Sequence, residues 1–250
     1  MNENPVLVEG KLYKKNETVK TIQTGIDGIA TTTADLLPYG KYKLEETKAP
    51  EGYLTAGTKP IEFSITENGK IEDLTDESHS IYNQIKRGDL EGVKIGAGTH
   101  KRLANVPFKI TSKTTGESHI VVSDKNGQFS TASDWASHKK NTNAGTSSED
   151  GIWFGNSEPD DSKGALLYDT YEIEELSCES NKGMKLIPAF KVVVSRNKVK
   201  IDLGTLTDEY EKEITIHTTA TDKETGEKII VAGKKAVSYT HLRAHETGAY

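Results

Sequence analysis

The chain has 250 residues, with 34% hydrophobic and 28% charged residues and 22 glycines, a balance that suits short strands, many turns and several small cores rather than one large core. A net charge of −6, with Lys and Arg spread throughout and no aromatic-basic cluster, disfavours nucleic acid as a partner, and no apolar run approaches a membrane span. The single cysteine, Cys178, excludes an internal disulfide, and no neighbouring base or cation marks it as a reactive thiol.

In chain order, the alternation of apolar and polar residues predicts strands over 6–13, 19–24, 41–46, 61–66, 70–74 and 79–85. The central stretch of this part is Leu37-Pro38-Tyr39-Gly40-Lys41-Tyr42-Lys43-Leu44-Glu45-Glu46-Thr47-Lys48-Ala49-Pro50-Glu51-Gly52-Tyr53. A Pro-x-Gly turn opens it, and Tyr42 and Leu44 alternate with Lys41 and Lys43 as in a strand with one buried face. The same alternation puts Glu46 on the apolar face, where a carboxylate is costly unless paired or protonated. Ala49-Pro50-Glu51-Gly52 then ends the strand.

The design returns in Leu167-Tyr168-Asp169-Thr170-Tyr171-Glu172-Ile173-Glu174-Glu175-Leu176, which aligns Tyr171 with Tyr42 and Glu175 with Glu46. Asn181-Lys182-Gly183-Met184 stands where Glu51-Gly52-Tyr53 stood, and Ser123-Asp124-Lys125-Asn126-Gly127 matches Thr24-Gly25-Ile26-Asp27-Gly28. A whole small domain is repeated, with a long insertion in the second copy.

The pattern Tyr-x-x-x-Glu-Thr-x-Ala-Pro-x-Gly-Tyr closely resembles the B-type (Cna B, SpaA-like) repeat of Gram-positive surface adhesins and pilins, over roughly residues 7 to 208. The second copy departs from it in lacking Ala-Pro. The resemblance implies an all-β chain of tandem prealbumin-like, Ig-like β-sandwiches. It also implies a covalent bond between a Lys on the first strand and an Asn or Asp on the last, assisted by a Glu on a middle strand. The expected organisation is a sandwich over 1–86 that lacks its lysine-bearing first strand, and a second sandwich over 87–210. In the first copy Glu46 is the assisting carboxylate and Asn83 the acceptor, while Lys11, Lys14 and Lys15 sit one strand too late to react. In the second copy 90–95 is the first strand with Lys94 as the amine, and Glu175 assists. The last strand, 199–208, offers Asp208 as acceptor and Asp202 as the alternative, since even spacing puts both on one face.

Residues 133–163 form a polar insertion long enough to be functional or unstructured. Trp135, Trp153 and Phe154 are either a ligand platform or pins that hold the insertion to the sandwich. Asp150 and Glu158-Pro159-Asp160-Asp161 hint at calcium, but the spacing fits no EF-hand, so no metal or cofactor is assigned. Residues 211–236 resemble the opening strands of a Thr-Gln ester-bond domain found in the same class of surface proteins. Residues 237–250 resemble the in-frame translation of a sequencing adapter and are expected to be an artefactual tail, so His241 and His245 are set aside. The resemblance implies a non-enzymatic, extracellular stalk segment of a cell-wall protein, cut at both ends and anchored to peptidoglycan through a missing C-terminus. The alternative is a module that binds a host matrix protein or glycan through the Trp-bearing insertion.

Overall fold

The computed structural model describes residues 2, 4–55, 59–98, 100–141, 143–210, 214–222 and 236–244, with the backbone alone described in the last two segments. The chain divides into two compact units, 1–86 and 87–250. The described secondary structure is β-strands and two single-turn 3-10 helices, so the fold is all-β. None of the described helices is long and apolar enough to cross a membrane.

The first unit contains β1 (Val6–Val8), β2 (Lys11–Tyr13), β3 (Gly40–Leu44), β4 (Tyr53–Leu54), β5 (Ile61–Ile65) and β6 (Gln84–Ile85). Residues 6–13 are not the single predicted strand. Glu9 and Gly10 adopt φ of 48° and 82°, and two consecutive left-handed residues make the tight turn of a hairpin, so β1 folds back on β2 with Leu7 opposite Leu12. The predicted strands over 19–24 and 70–74 are also absent. A strand needs a ladder partner, and neither segment has one among the described residues. The predicted strand over 79–85 survives only as β6, because Asp76 Oδ1 accepts from Ser78 N at 2.8 Å and His79 N at 3.2 Å and caps a 3-10 turn over Glu77–His79. β3 pairs with β5, setting Tyr42 against Phe63, and β4 pairs with β6.

The second unit contains β7 (Arg87–Ile95), β8 (Pro107–Ser112), β9 (Ser118–Val122), β10 (Gln128–Ser130), β11 (Leu166–Leu167), β12 (Asp169–Glu175), β13 (Met184–Lys185), β14 (Phe190–Val194), β15 (Val199–Thr207), β16 (Glu209–Tyr210), β17 (Ile214–Asp222) and β18 (Ala236–Ala244). β7 pairs antiparallel with β10 and β11 on one edge and parallel with β15 on the other. A second sheet runs in the order β14-β12-β8-β9. Leu90, Phe108, Phe129, Phe154, Tyr171 and Ile173 belong to one buried cluster, in which the Phe108 and Phe129 rings stack at 4.4 Å. Gly92 makes that contact possible: a Cβ there would lie 2.8 Å from the Phe129 ring.

The two copies share local geometry. Tyr42 Oη donates to Pro38 O at 2.7 Å and Tyr171 Oη donates to Leu167 O at 3.0 Å, the same four-residue reach back to the strand entrance. Such a corner ties a strand to the turn before it. Gly52 and Gly183 both take positive φ and each leads into a two-residue strand, β4 or β13, that pairs with the last short strand of its copy. β17 and β18 pair antiparallel, with Thr215 opposite Arg243, so the backbone of the expected tail from 237 to 244 forms part of a two-stranded sheet. The rest of the expected ester-bond opening, 211–213 and 223–235, and the end of the tail, 245–250, lie outside the described residues.

Candidate functional site

The alternation of β7 buries Leu90, Gly92 and Lys94 and leaves Glu91 and Val93 partly exposed. Lys94 therefore points into the sandwich, with none of its side chain exposed. Its backbone is held on both sides: Lys94 N donates to Gly127 O at 2.7 Å and Lys94 O accepts from Leu103 N at 3.0 Å. Gly127, at φ 70°, is obligatory here, since a Cβ would come within 2.4 Å of Lys94 O.

Across the core, β12 buries Tyr171, Ile173 and Glu175 in turn. Glu175 Oε2 lies 3.2 Å from Lys94 Nζ, with no side-chain exposure on either partner. From the other side, Lys94 Nζ donates to Asp208 Oδ1, and Asp208 is 2% exposed. The first strand, a middle strand and the end of the last strand thus contribute one group each to a single buried cluster. Leaving a lysine in such a place is tolerable only because two carboxylates compensate it.

Asp208 and Asp202 do not share a face, contrary to their even spacing. The β7–β15 register shifts between Asp202 and Thr205, where Gly204 adopts φ 66° and donates its N–H to Asp202 Oδ1 at 2.7 Å. A bulge of this kind reverses the inward and outward sense of everything after it. Asp202 is left in solvent and Asp208 falls inside.

The carboxylates differ in their remaining partners. Glu175 Oε1 accepts from Asn181 Nδ2 at 2.9 Å, and Oε2 accepts from Ile187 N at 3.3 Å. Asp208 Oδ2 is buried with no hydrogen-bond partner. Burial pushes the Asp208 carboxyl up to about 6, with Lys94 pulling it down and neighbouring Glu175 raising it. A buried amine, a carboxyl that tends to keep its proton and a second, hydrogen-bonded carboxyl in contact are the kinds of group that condensing an amine with an acid requires. Sequence reasoning passed over Asn181. The only trace of it was an Asn two residues before the turn glycine, where the first copy has Pro50.

In the first unit Asn83 Nδ2 donates to Glu46 Oε1 at 2.8 Å. Register makes Asn83 and Asp208 equivalent: Leu54 pairs with Gln84 and Lys185 with Glu209, so each stands just before its strand. No lysine joins the first pair among the described residues, and Glu46 Oε2 and Asn83 Oδ1 are buried without hydrogen-bond partners.

Two of the insertion aromatics lie in the core, and the ligand-platform reading is corrected for those two. Trp153 is 1% exposed and Phe154 0%. The Arg87 guanidinium sits 3.7 Å over the Trp153 ring, Trp153 Nε1 donates to Ser157 O at 2.8 Å, and Phe154 packs edge-on to Tyr171. Trp135 is half-buried and donates Nε1 to Ser148 O at 3.2 Å. Both ring nitrogens of buried His138 face carbonyl oxygens, those of Thr131 and Asp160. The acidic residues considered for calcium are taken up elsewhere: Asp150 pairs with Lys139, Glu158 with Lys140 and Asp160 with Lys163, while Asp161 Oδ1 accepts from His138 N. No group of three metal-ligating side chains occurs among the described residues.

No curated protein matches the chain. Among solved structures, the chain is 16% identical to the Bacillus anthracis TIE protein at a TM-score of 0.45, covering 88% of this chain and 37% of that one. It is 17% identical to GBS52, the minor pilin of Streptococcus agalactiae, at a TM-score of 0.33, covering 76% and 67%. It is 14% identical to a C-terminal fragment of the pilus adhesin SpaC from Lactobacillus rhamnosus GG, at a TM-score of 0.38, covering 75% and 83%. The chain thus spans little more than a third of the length of the TIE protein. Residues 8–79, inside the first unit, match the family described as the SpaA prealbumin-like fold domain.

Proposed function

We propose that the chain is a load-bearing stalk segment of a pilus-like protein on the outside of a cell wall, and that its second unit locks itself with an amide between Lys94 and Asp208. The observation that carries this reading is the burial of Lys94, Glu175 and Asp208 in one contact at the junction of the first and last strands. In the reaction the Lys94 ammonium gives a proton to Glu175, and the neutral Nζ attacks Asp208 Cγ. The C–N bond forms, the Cγ–hydroxyl bond breaks and one water leaves, with its second hydrogen drawn from the amine. One proton remains on Glu175. Folding holds the groups together and so replaces a bimolecular encounter. Each molecule reacts once, so the event is self-modification rather than enzymatic turnover. In the first unit Glu46 and Asn83 form the corresponding pair, with no amine beside them among the described residues.

The experiment is intact mass spectrometry of the folded, aged protein. A chain one water lighter than its sequence, with Lys94 and Asp208 joined in one proteolytic peptide, is expected. A folded chain of full mass would overturn the proposal. Burial of Trp153 and Phe154 argues against the alternative of a matrix- or glycan-binding insertion, since neither ring has a face to offer.

A further inference from the structure

We infer that Asn181 is a positioning residue for the crosslink: it holds Glu175 by Oε1 and so turns Oε2, the other oxygen, toward Lys94. The inference rests on the reading of residues 94, 175 and 208 given above and concerns how that site is oriented.

Asn181 lies in the 3-10 turn after β12 and is 1% exposed. Its side chain is fully engaged. Nδ2 donates to Glu175 Oε1 at 2.9 Å and to Leu176 O at 3.0 Å, and Oδ1 accepts from Cys178 N at 2.7 Å. These contacts fix which end of the amide is nitrogen, because a flipped side chain would set an oxygen against Leu176 O and an N–H against Cys178 N–H. Held at Oε1 by this fixed donor and at Oε2 by Ile187 N at 3.3 Å, the Glu175 carboxyl keeps Oε2 3.2 Å from Lys94 Nζ.

The ionisable groups around Glu175 are Lys94 from β7 and Asp208 from the end of β15. Glu175 accepts backbone and amide N–H groups from Ile187 and Asn181, whereas Asp208 accepts only from Lys94 at Oδ1 and has no partner at Oδ2. Glu175 is therefore the carboxyl pinned in place beside Lys94, and Asp208 is the one left open to attack. Two carboxylates around one lysine would otherwise be interchangeable. The first copy has Pro50 at the equivalent place and no such donor. There Glu46 Oε1 takes its hydrogen bond from Asn83 itself.

The test is the rate of water loss after refolding, followed by intact mass across a pH series in the full-length wild type, Asn181→Ala and Asn181→Asp. Losing one hydrogen bond to an ionised group corresponds to about a tenfold to hundredfold slower rate. In Asn181→Ala the fall of the rate as pH rises through about 6 should stay in place, because that limb belongs to Asp208, which Asn181 does not touch. Asn181→Asp keeps the shape and the Cys178 contact but replaces the donor at Oε1 with an acceptor, so it is slow as well. Should Asn181→Ala fail to fold, Asn181→Asp carries the test alone. Variants that react at the wild-type rate, or slow variants whose alkaline limb also moves, would overturn the inference while leaving the crosslink intact. A wild type that never loses water would instead overturn the crosslink itself.

Discussion

Glu175→Gln isolates the value of the covalent bond. The substitution keeps the size of the side chain and its place beside Asn181, and leaves the Lys94–Asp208 contact available, but removes the proton acceptor. Lys94 and Asp208 are 114 positions apart. Treated as a closed loop of that size, the bond removes about 16 cal/mol/K from the unfolded chain, or about 5 kcal/mol at room temperature. For a unit of this length each kcal/mol moves the midpoint by roughly 3–5 °C, so Glu175→Gln should melt about 15–25 °C lower than the crosslinked wild type. Calorimetry on samples whose mass state has been verified is the assay. A Glu175→Gln protein of full mass that melts within about 3 °C of a dehydrated wild type would refute the loop-closure argument. It would mean that the bond forms but constrains little in the unfolded chain.

Asp202→Ala should leave water loss unchanged, because Asp202 lies in solvent beyond the bulge, whereas Asp208→Ala should abolish it; peptide mapping distinguishes the two. In the full-length protein the peptide holding Asn83 should be recovered without a crosslink and without loss of ammonia, since no amine joins Glu46 and Asn83 among the described residues. Amide formation after refolding should slow as pH rises through about 6. The acid form of Asp208 is the electrophile, and a carboxyl whose folded value is raised keeps that form to a higher pH than usual and then loses it. A rate that climbs steadily through that range would show that another group limits the reaction.

Lys94 and Glu175 were legible through the resemblance to the B-type repeat, and regular strands then set both on a buried face. Lys94 alternates with buried Leu90 and Gly92 on β7, and Glu175 with Tyr171 and Ile173 on β12. The choice between Asp202 and Asp208 was not legible, because it depends on a bulge. Alternation carried through Gly204 gives the wrong face for one of the two, and nothing in the spacing announces the extra residue. Asn181 was hidden for a different reason. Its role comes from a turn that brings it back onto the strand it follows, and a turn has no period to read. In the first unit the predicted strands over 19–24 and 70–74 have the right composition but no ladder partner among the described residues, and composition does not report partners. The aromatics of the insertion were open between core and surface until Arg87, 66 residues before Trp153 in the chain, was seen stacked on the indole. That contact joins the first residue of the unit to an insertion whose sequence is otherwise polar.

The geometry of β7 and β15 has a mechanical consequence that can be measured. The two strands run parallel, so tension applied at Arg87 and beyond Asp208 loads their ladder in shear. An amide at Lys94 and Asp208 sits where both strands end. Force entering at Arg87 then follows β7 to Lys94, crosses the covalent bond and leaves at Asp208. Everything between positions 94 and 208 is out of the path, including the second sheet and the insertion. At roughly 3.3–3.6 Å per extended residue, the 114 steps between those positions hide about 380–410 Å of contour. Single-molecule pulling of the wild type should therefore show no unfolding step of that size from the second unit. Lys94→Ala or Glu175→Gln should show one of about 400 Å, lengthened by the few residues of β7 that also yield. A dehydrated wild type that still releases such a step would mean that the bond has formed somewhere other than between Lys94 and Asp208.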